Sequence, residues 1–378
     1  MENVYITKAT KFLPNNPVEN EDIEKYLGMI GGKPSRVRSI ILRQNQIKKR
    51  YYALDENGRL THTNAQMTAE AIMQLFDAKH HINSVDALYC GTSSPDQIMP
   101  SHASMVHGEL QDFPSIEVSG FSGVCCSGAH ALQYAYTSVF SGLKKNVVCA
   151  GSELLSPILL ARMFKEEYSA LQQVENNPII AFDKDFLRYM LSDGAGAFFI
   201  SNIPQGLSLR IDWIESISYA NILPACMYQG AVKKENGDLA SWKTFEEQEW
   251  LGNSILSIKQ DTRLLGKNII IKAVEHIKNS GLKHNLDFST IDYFLPHISS
   301  MHFYDKLRDR MKEEGIEVTE DKWFLNLPNV GNVGSASIYL MIEELFYSGK
   351  LQNGQKIFLF IPESGRFSYT TALLTVAE

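Results

Sequence analysis

The sequence lacks the features that mark several large classes of protein. It has only five cysteines in 378 residues, an odd number that is too small for a disulfide-built scaffold. It has no apolar run of the roughly 18 to 20 residues that a membrane-spanning helix needs. Residues 1–12 also lack the apolar core of a secretory signal peptide, so we expect a cytoplasmic protein without a membrane span.

An excess of basic residues is absent too. Lys and Arg number 36 against 43 Asp and Glu, which gives a net charge of -7. This balance argues against nucleic acid as a partner. The composition is 44% hydrophobic and the chain is longer than one compact core usually spans. We therefore expect a globular protein made of two domains or two halves.

Two pairs of segments repeat at a nearly constant distance along the chain. Residues 85–89 and 291–295 share an apolar strand pattern, 206 residues apart. Cys125 and Asn332, 207 residues apart, each open a run of small residues that leads into a helical pattern. Both helical patterns stop at a glycine, as a glycine C-cap would make them do. We interpret the repeat as an internal duplication, with halves at 1–204 and 205–378.

Each half has the order helix, strand, long loop, buried helix, strand. Helical spacing of apolar residues predicts outer helices over 68–78 and 268–279. Alternating strands and helices predict α/β layering with a mainly parallel sheet in each half. The helices after Cys125 and Asn332 begin with almost no charge, so we expect them to be buried between two sheets. Two more polar stretches are expected to be insertions over one face, where pockets are often shaped: 155–191 and 225–252.

The sharpest chemical signal is the cysteine pair in residues 122–130, which read SGVCCSGAH. At the turn into a buried helix, free backbone N–H groups and the helix dipole stabilise a thiolate, which predicts a lowered pKa and a nucleophile. The alternatives are a buried cysteine that only fills space and a redox or metal site. No CxxC pair elsewhere completes a zinc site. Gly123 and Gly128 favour a tight turn that another backbone or a ligand can approach.

Two further residues can join this cysteine. His297 lies just past a predicted strand end, where open α/β sheets carry functional groups, although a lone histidine is often structural. Asn332 lies in the glycine-punctuated loop 329–337, where an asparagine can also be a simple helix cap. The duplication would bring the two helix starts together at the centre of the molecule. We therefore expect Cys125, His297 and Asn332 to form one cluster.

With these residues in place, the sequence resembles the thiolase-fold condensing enzymes, and most closely the ketoacyl-acyl-carrier-protein synthase III group. The similarity covers nearly the whole chain and rests on motifs that occur in the family's order. Besides the cysteine, histidine and asparagine motifs, they are 12–14, 20–24, 46–51, 94–101 and the SDGAGA turn at 192–197. The resemblance implies a five-layer αβαβα thiolase-like fold of two duplicated halves, and a homodimer.

The resemblance also implies roles for individual residues. Cys125 would accept an acyl group, and His297 with Asn332 would promote decarboxylation and condensation. The N–H groups of Cys125 and Gly365 would form the oxyanion hole. Cys126 is the alternative nucleophile, and we choose Cys125 because it keeps the following helix in the family's phase. The implied reaction is acyl transfer from a thioester to Cys125, then Claisen-type condensation with a malonyl- or 3-oxoacyl-thioester, without metal or organic cofactor.

The sequence departs from the family in three places. Ser300 stands where the family has an asparagine after its catalytic histidine, and the Trp and Arg that stack on coenzyme A have no match in 28–44. The C-terminal glycine-rich turn is reduced to residues 362–366, in which Gly365 is the remaining glycine. These departures favour thioesters of acyl carrier protein over those of coenzyme A.

A basic stretch stands out on this acidic chain. Residues 33–50 hold seven Lys or Arg and no acid. Such a stretch can dock an acidic carrier protein or a phosphopantetheine phosphate, or it can be an ordinary solvated face. The residues expected to bind the substrate or carrier are Arg36, Arg43, Lys48, Lys49, Arg50 and Ser300.

The extra length near the expected pocket suggests specialised lipid or polyketide metabolism, such as the condensing step of dialkylresorcinol formation. That last step is an analogy with the family. Two alternatives stay open: a non-condensing acyltransferase that uses the same cysteine, and a non-catalytic partner subunit that only sets chain length.

Overall fold

The computed structural model describes residues 2–165 and 185–378, and every structural statement below concerns those ranges. Within the expected insertion 155–191, residues 166–184 lie outside the described residues. The strands are β1 Tyr5–Phe12, β2 Val18–Glu19, β3 Lys49–Arg50, β4 Ala87–Thr92, β5 Glu117–Ser122, β6 Asn146–Glu153, β7 Gly194–Ser201, β8 Ser208–Ser218, β9 Met227–Tyr228, β10 Ala231–Lys233, β11 Leu239–Ser241, β12 Lys259–Gln260, β13 Tyr293–Pro296, β14 Lys356–Glu363 and β15 Ser368–Ala377. The helices are α1 Ile23–Leu27, α2 Arg38–Asn45, α3 Asn64–Met73, α4 His102–Glu109, α5 Cys126–Phe140, α6 Glu247–Gly252, α7 Thr262–Lys283, α8 Tyr304–Glu313, α9 Leu327–Val330 and α10 Ser337–Phe346.

Nine strands form one sheet in the order β13-β14-β15-β8-β1-β7-β6-β4-β5. The pairs β4–β5, β4–β6 and β13–β14 are parallel, and the other neighbouring pairs are antiparallel. The prediction of a mainly parallel sheet in each half is therefore wrong, because the sheet is mixed. One cause is that only residues 364–367 separate β14 from β15, and so short a connection joins neighbouring strands as an antiparallel pair.

The same strand connectivity occurs twice. Numbered within its own half, the first part of the sheet runs 3-2-4-5-1 and the second part runs 2-4-5-1. The missing third strand of the second half is reduced to one parallel bridge between Phe294 and Trp323. Ala87 pairs with Val147 in the first half, and the equivalent Tyr293 pairs with Ile357 in the second. The division at 204/205 falls in the loop between β7 and β8 and stays a prediction, which this repeated order supports.

Two helices occupy the centre of the fold. Helix α5 packs on β4 and β6 of the first half and also on β14 and β15 of the second, and α10 packs on β1 and β7. Their apolar side chains share one core cluster, in which Leu132 and Ile338 are 3% and 2% exposed. The prediction that these helices are buried is confirmed. As predicted, both helices are followed by glycines with positive φ, Gly142 and Gly349.

The two parts of the sheet are joined by only two residue pairs between β1 and β8, and they enclose α5 and α10 as two β layers. Two outer layers complete a five-layer αβαβα arrangement. Helices α3 and α4 cover the first half of the sheet, and α7 with α8 covers the second. Both predicted outer helices exist, but they begin earlier than the apolar spacing indicated. A capping box of Thr63 with Gln66 starts α3, and the Asp261 side chain caps α7 by accepting from Leu264 N–H. In the described ranges, no helix is long and apolar enough to cross a bilayer.

Candidate active site

Cys125, His297 and Asn332 line one pocket at the junction of the two halves. All three are buried, with 7%, 3% and 3% of their surface exposed. The pocket wall beyond them is mostly apolar and is built from α7, α8, β14 and the segment before β7. Its apolar residues include Leu191, Leu265, Ile269, Leu307 and Phe360. The cluster expected from the repeat is therefore present as a geometric fact, and its catalytic role stays a prediction.

Cys125 is the cap residue of α5 and faces this pocket. Its neighbour Cys126 is fully buried, and the Cys126 thiol donates to the Ile361 carbonyl at 3.3 Å. Because Cys125 lines the pocket while the Cys126 thiol is engaged elsewhere, the geometry favours Cys125 as the nucleophile. In the described ranges, no group of three His, Cys, Asp or Glu is placed to hold a metal ion, and all five cysteines are free thiols.

Glycine at position 128 lets the two buried helices touch. A Cβ added at Gly128 would lie 2.2 Å from the Ser335 carbonyl oxygen, at the start of the second buried helix. The Tyr339 hydroxyl also donates to the Gly128 carbonyl at 2.8 Å. The expected close approach of another backbone at this turn is therefore present, and it brings the two helix starts together.

The thiol of Cys125 is held in its neutral form. Burial raises its pKa well above the ordinary value, and the nearby carboxylates of Glu363 and Glu153 raise it further. We predicted a lowered pKa from the helix start alone, and that prediction is wrong. The helix dipole is present, but the carboxylates of Glu363 and Glu153 lie near the same thiol and disfavour a negative charge on its sulfur.

His297 directly follows β13, and its backbone N–H donates to the Phe360 carbonyl at 2.7 Å, which fixes the residue at the strand end. Its Nε2 is buried and makes no hydrogen bond in the structure. Burial lowers the pKa of His297 to about 4, so the imidazole is neutral at pH 7. A neutral, unpartnered ring nitrogen in an apolar pocket can exchange a hydrogen bond or a proton with a bound molecule.

Asn332 is fixed by backbone and side-chain contacts. Its N–H donates to the Met190 carbonyl at 3.1 Å, and its carbonyl accepts from Ser192 N–H at 2.9 Å. Its Oδ1 accepts from Gly334 N–H at 2.9 Å. The SDGAGA turn that begins at Ser192 thus positions Asn332, and the amide nitrogen remains as the donor group of this side chain.

Sequence reasoning missed two buried glutamates beside Cys125. Glu363 Oε2 accepts from Val124 N–H and from Cys126 N–H, both at 3.0 Å. Glu153 accepts from the hydroxyls of Ser93 and Ser94 at 2.6 Å each. A signal was available, because Glu153 ends β6 and Glu363 ends β14, two strands that begin and end 210 residues apart.

Two other predicted residues have different surroundings from those expected. Ser300 is fully buried and caps the short helix Met301–Phe303 by accepting from His302 N–H. We predicted that Ser300 contacts the substrate or carrier, and this buried position does not fit that prediction. The Gly365 carbonyl accepts from Cys226 N–H at 2.9 Å. Gly365 is not part of the pocket lining, although Pro362 and Ser364 on either side of Glu363 are. Its oxyanion role stays a prediction.

The basic stretch divides into a buried and an exposed part. Arg50 is fully buried and donates to Asn20 Oδ1 at 2.9 Å, so the prediction that it binds a carrier is wrong. Its charge is enclosed by the protein's own acceptors. Lys49 lies 3.4 Å from Glu19 as an ion pair. The exposed basic residues are Lys33, Arg36, Arg43 and Lys48.

The exposed part of this stretch lies near the pocket. Helix α2, which carries Arg43, packs against the short helix Met301–Phe303, and Phe303 lines the pocket. A partner held by this basic surface would therefore sit close to the cavity that contains Cys125. The geometry is consistent with the expected carrier-docking surface without Arg50.

Comparisons with known proteins agree with this architecture. Residues 282–374 match the family model for the 3-oxoacyl-[acyl-carrier-protein] synthase III C terminal. The chain is 25% identical over 377 residues to a beta-ketoacyl-[acyl-carrier-protein] synthase III of Campylobacter fetus, covering 99% of this chain and 98% of the relative. It is 26% identical over 372 residues to the synthase III of a Sulfurovum species, covering 97% and 94%.

Solved structures show the same fold. The tetronic acid condensing enzyme AbyA1 matches with a TM-score of 0.75 at 17% identity, over 98% of this chain and 99% of that one. OleA of Xanthomonas campestris, with bound lauric acid and lauroyl-CoA, matches with a TM-score of 0.75 at 16% identity over 99% of both chains. The resemblance to thiolase-fold condensing enzymes is thereby confirmed: over nearly its whole length the chain is similar in sequence to ketoacyl-acyl-carrier-protein synthases III, and its fold is that of the solved condensing enzymes.

Proposed function

We propose that this protein condenses two acyl thioesters, using Cys125 as the acyl-accepting nucleophile. The observation that carries the proposal is that Cys125, His297 and Asn332 line one mostly apolar pocket. Nucleophilic catalysis needs a positioned thiol with a base nearby, and condensation needs hydrogen-bond donors for an enolate oxygen. One pocket supplies all of these groups.

The first half-reaction is acyl transfer. The Cys125 sulfur attacks the thioester carbonyl while its proton passes to the neutral His297 Nε2, and the carbonyl oxygen becomes an oxyanion. When the carbonyl re-forms, the thioester C–S bond breaks and the leaving thiolate takes the proton from His297. The imidazole suits this role because burial keeps it neutral at pH 7, so that a ring nitrogen is unprotonated and can accept a proton.

The second half-reaction forms the carbon–carbon bond. A malonyl thioester would lose carbon dioxide, or a 3-oxoacyl thioester would pass a proton from its activated carbon to His297 Nε2, to give an enolate. The Asn332 amide would donate a hydrogen bond to the enolate oxygen, and so would His297 when its Nε2 carries the proton. The enolate carbon attacks the acyl carbonyl on Cys125 and the C–S bond to Cys125 breaks. The departing sulfur takes a proton, from His297 in the 3-oxoacyl route or from water in the malonyl route, and returns to the thiol. The two thioesters thus react in turn at one cysteine, in ping-pong order.

The pocket wall supports a substrate with an alkyl chain. Leu265, Ile269 and Phe360 present apolar surface beyond the cysteine, and burying a methylene group there is worth about 0.8 kcal/mol. Among the structural neighbours, OleA is known with lauric acid and lauroyl-CoA bound. Gln260 adds a polar point to this wall, since its Oε1 is buried without a partner. Gln260 Oε1 would accept a hydrogen bond from the enol hydroxyl of a 3-oxoacyl chain, which fits a dialkylresorcinol-type product.

Carrier-bound substrates fit the charge distribution. The exposed Arg36, Arg43 and Lys48 lie on an otherwise acidic chain, close to a pocket wall. An acidic acyl carrier protein would be attracted to that surface, and its thioester arm would reach the cavity. We also propose a homodimer, by analogy with the family.

Intact-mass spectrometry after exposure to acyl thioesters tests the proposal. We compare carrier-protein and coenzyme A thioesters of several chain lengths on the wild type, Cys125→Ser and the matched control Cys126→Ser. The expected result is a mass gain of one acyl group in the wild type and in Cys126→Ser, and none in Cys125→Ser. Loss of the adduct in Cys126→Ser alone would move the nucleophile by one residue.

Product analysis separates condensation from simple acyl transfer. The acylated enzyme is given malonyl- and 3-oxoacyl-thioesters, and a carbon–carbon product is expected. In His297→Ala and Asn332→Ala, we expect that product to fall at least about 100-fold. An adduct that passes only to alcohols or amines would indicate a non-condensing acyltransferase. The absence of any adduct would overturn the proposal and favour a non-catalytic partner subunit.

A further inference from the structure

Glu363 holds the turn that carries Cys125. Its Oε2 accepts from the N–H groups of Val124 and Cys126, the residues on either side of Cys125, at 3.0 Å each. The residue is 8% exposed, at the last position of β14. An added Cβ at Gly123 would lie 3.4 Å from Oε2, and one at Gly365 would lie 3.2 Å from Oε1. The carboxylate thus lies in a tight space between the helix start and the last turn of the sheet.

The position has a counterpart in the other half. Glu153 ends β6, the strand that corresponds to β14, and its Oε1 accepts from Ser335 N–H at 3.2 Å near the start of α10. Each glutamate therefore belongs to one half and binds backbone N–H groups at the buried helix of the other. This reciprocal arrangement is what the proposed duplication predicts, because each half carries a glutamate at the same strand end and each glutamate binds the other half.

The two positions differ in what lies beside the carboxylate. Glu153 binds two serine hydroxyls as well as backbone N–H groups. Glu363 binds the two N–H groups of a turn whose central residue is a thiol. Free N–H groups and the dipole at a helix start would otherwise stabilise a thiolate there. Because Glu363 accepts from these N–H groups, its carboxylate already compensates the positive end of the α5 dipole.

The titratable groups around Cys125 also disfavour a thiolate at this residue. The titratable groups that face Cys125 are Glu363, Glu153, Cys126 and His297, and His130 lies one turn further along α5. Burial keeps His297 neutral at pH 7. A thiolate at Cys125 would therefore be a third anion in a buried space, whereas an acyl-cysteine is uncharged and would meet no such repulsion.

We propose that Glu363 is a positioning residue that fixes the Cys125 turn and, through its negative charge, keeps Cys125 an unreactive thiol until a thioester is bound. The proposal rests on the proposed role of Cys125 as the nucleophile. In the resting enzyme, Cys125 resists alkylation and oxidation despite its place at a helix start. When substrate is bound, the sulfur attacks as its proton passes to His297 Nε2, so a free thiolate never accumulates.

The test measures the rate of Cys125 alkylation by iodoacetamide between pH 6 and 10.5. Fragment-ion mass spectrometry assigns the label to Cys125 or Cys126, and no thioester is needed. The variants are Glu363→Gln, which removes the charge but keeps an acceptor oxygen, and Glu363→Asp, which keeps the charge. The control is Glu235→Gln, which neutralises an exposed carboxylate.

In the wild type, we expect the alkylation midpoint to lie above pH 9. In Glu363→Gln, we expect it to fall by at least about one pH unit, so that the rate at pH 7.5 rises about tenfold. Glu363→Asp should stay close to the wild type, and Glu235→Gln should match it. A Glu363→Gln midpoint within 0.2 units of wild type would overturn the proposal.

A second measurement keeps the proposal testable if Glu363→Gln does not fold. A wild-type midpoint near or below pH 7 would overturn it without any variant. If Cys125 is never acylated by thioesters, the proposed function fails, yet the alkylation profile still decides the role of Glu363. The two failures are therefore distinguishable.

Discussion

The starts of helices α5 and α10 are two versions of one structure. At each start, a glutamate from the end of the corresponding strand in the opposite half accepts backbone N–H groups. At α5 the glutamate is Glu363 and the donors are Val124 and Cys126. At α10 the glutamate is Glu153 and the donor is Ser335, but Ser93 and Ser94 bind the same carboxylate through their hydroxyls. The α5 start carries the thiol, and the α10 start carries Asn332 and Gly334.

The comparison separates scaffold from chemistry. Both halves contain a buried helix, a crossing carboxylate and a glycine turn. The Glu153 carboxylate accepts from two serine hydroxyls and from backbone N–H groups of both halves, so it serves as a support between the halves. The Glu363 carboxylate has fewer donors and a thiol beside it, so its charge acts on that thiol. The same carboxylate position is structural in one half and tunes reactivity in the other.

The largest expected effect comes from removing the charge at Glu153. Glu153→Gln places amide hydrogens against the hydroxyls of Ser93 and Ser94 and leaves buried donors without an acceptor. Breaking a buried charged network in this way costs roughly 3 to 5 kcal/mol. We expect that loss in the free energy of urea unfolding.

Glu363→Gln is the matched comparison for this change. It keeps one acceptor oxygen for two backbone donors and should lower the free energy of unfolding by about 1 to 2 kcal/mol. Urea midpoints and m-values are compared for both variants and the wild type. Equal losses, or a larger loss for Glu363→Gln, would contradict the assignment of Glu153 as the support and Glu363 as the tuning residue.

The two glycine turns should differ in the same sense. Gly334 has φ +47°, and an added Cβ would lie 2.8 Å from Glu153 Oε1, which its hydrogen bonds hold in place. We expect Gly334→Ala to lower the free energy of unfolding by about 2 to 3 kcal/mol, from strain in the left-handed region plus the clash.

Gly123 is the counterpart beside Glu363. Its added Cβ would lie 3.4 Å from Glu363 Oε2, at ordinary contact distance, so Gly123→Ala should cost less than about 1 kcal/mol. Thermal unfolding of both variants measures the contrast. A Gly123→Ala loss as large as that of Gly334→Ala would mean that the two turns are equally tight, which would remove this difference between the halves.

The sequence predicts the repeat and the cluster because both depend on local patterns. Apolar strands, glycine stops and the order of Cys125, His297 and Asn332 are visible in the chain, and the structure brings these three residues to one pocket. Cys125, and not Cys126, lines the pocket, which agrees with the choice of Cys125 from the phase of the following helix. These features need no knowledge of long-range contacts.

What the sequence misses depends on contacts between distant residues. Burial raises the pKa of Cys125, and the carboxylates of Glu363 and Glu153, which lie 238 and 28 positions later in the chain, raise it further. Arg50 belongs to a basic run, yet Asn20 and the Tyr189 carbonyl bind it in the interior. Ser300 follows the histidine motif but turns away to cap a helix. Local charge or motif position does not determine which way such a side chain faces.

The last comparison concerns one buried histidine in each half, whose effect appears only as the pH is lowered. Burial lowers the pKa of His102, the first residue of α4, and of His276, in α7, to about 4 each. The unfolded chain binds protons at these residues near the ordinary pKa of about 6.5, so between pH 6.5 and 4 it holds more protons than the folded protein. Their contribution to stability is therefore complete above pH 6.5 and is lost as the pH falls toward 4.

Each histidine should steepen the pH dependence of unfolding by up to about 1.4 kcal/mol per pH unit in this window. Glu153 and Asp193, whose pKa values burial raises, act in the opposite direction at the low end, so only the difference between variant and wild type isolates one histidine. Urea unfolding of His102→Gln and His276→Gln at pH 4.5, 5.5 and 7 measures that difference. We expect both variants to lose slope equally, because burial is the main cause of both shifts. A variant that loses stability by the same amount at every pH would mean that its histidine acts through packing and hydrogen bonds alone, and that proton linkage differs between the halves.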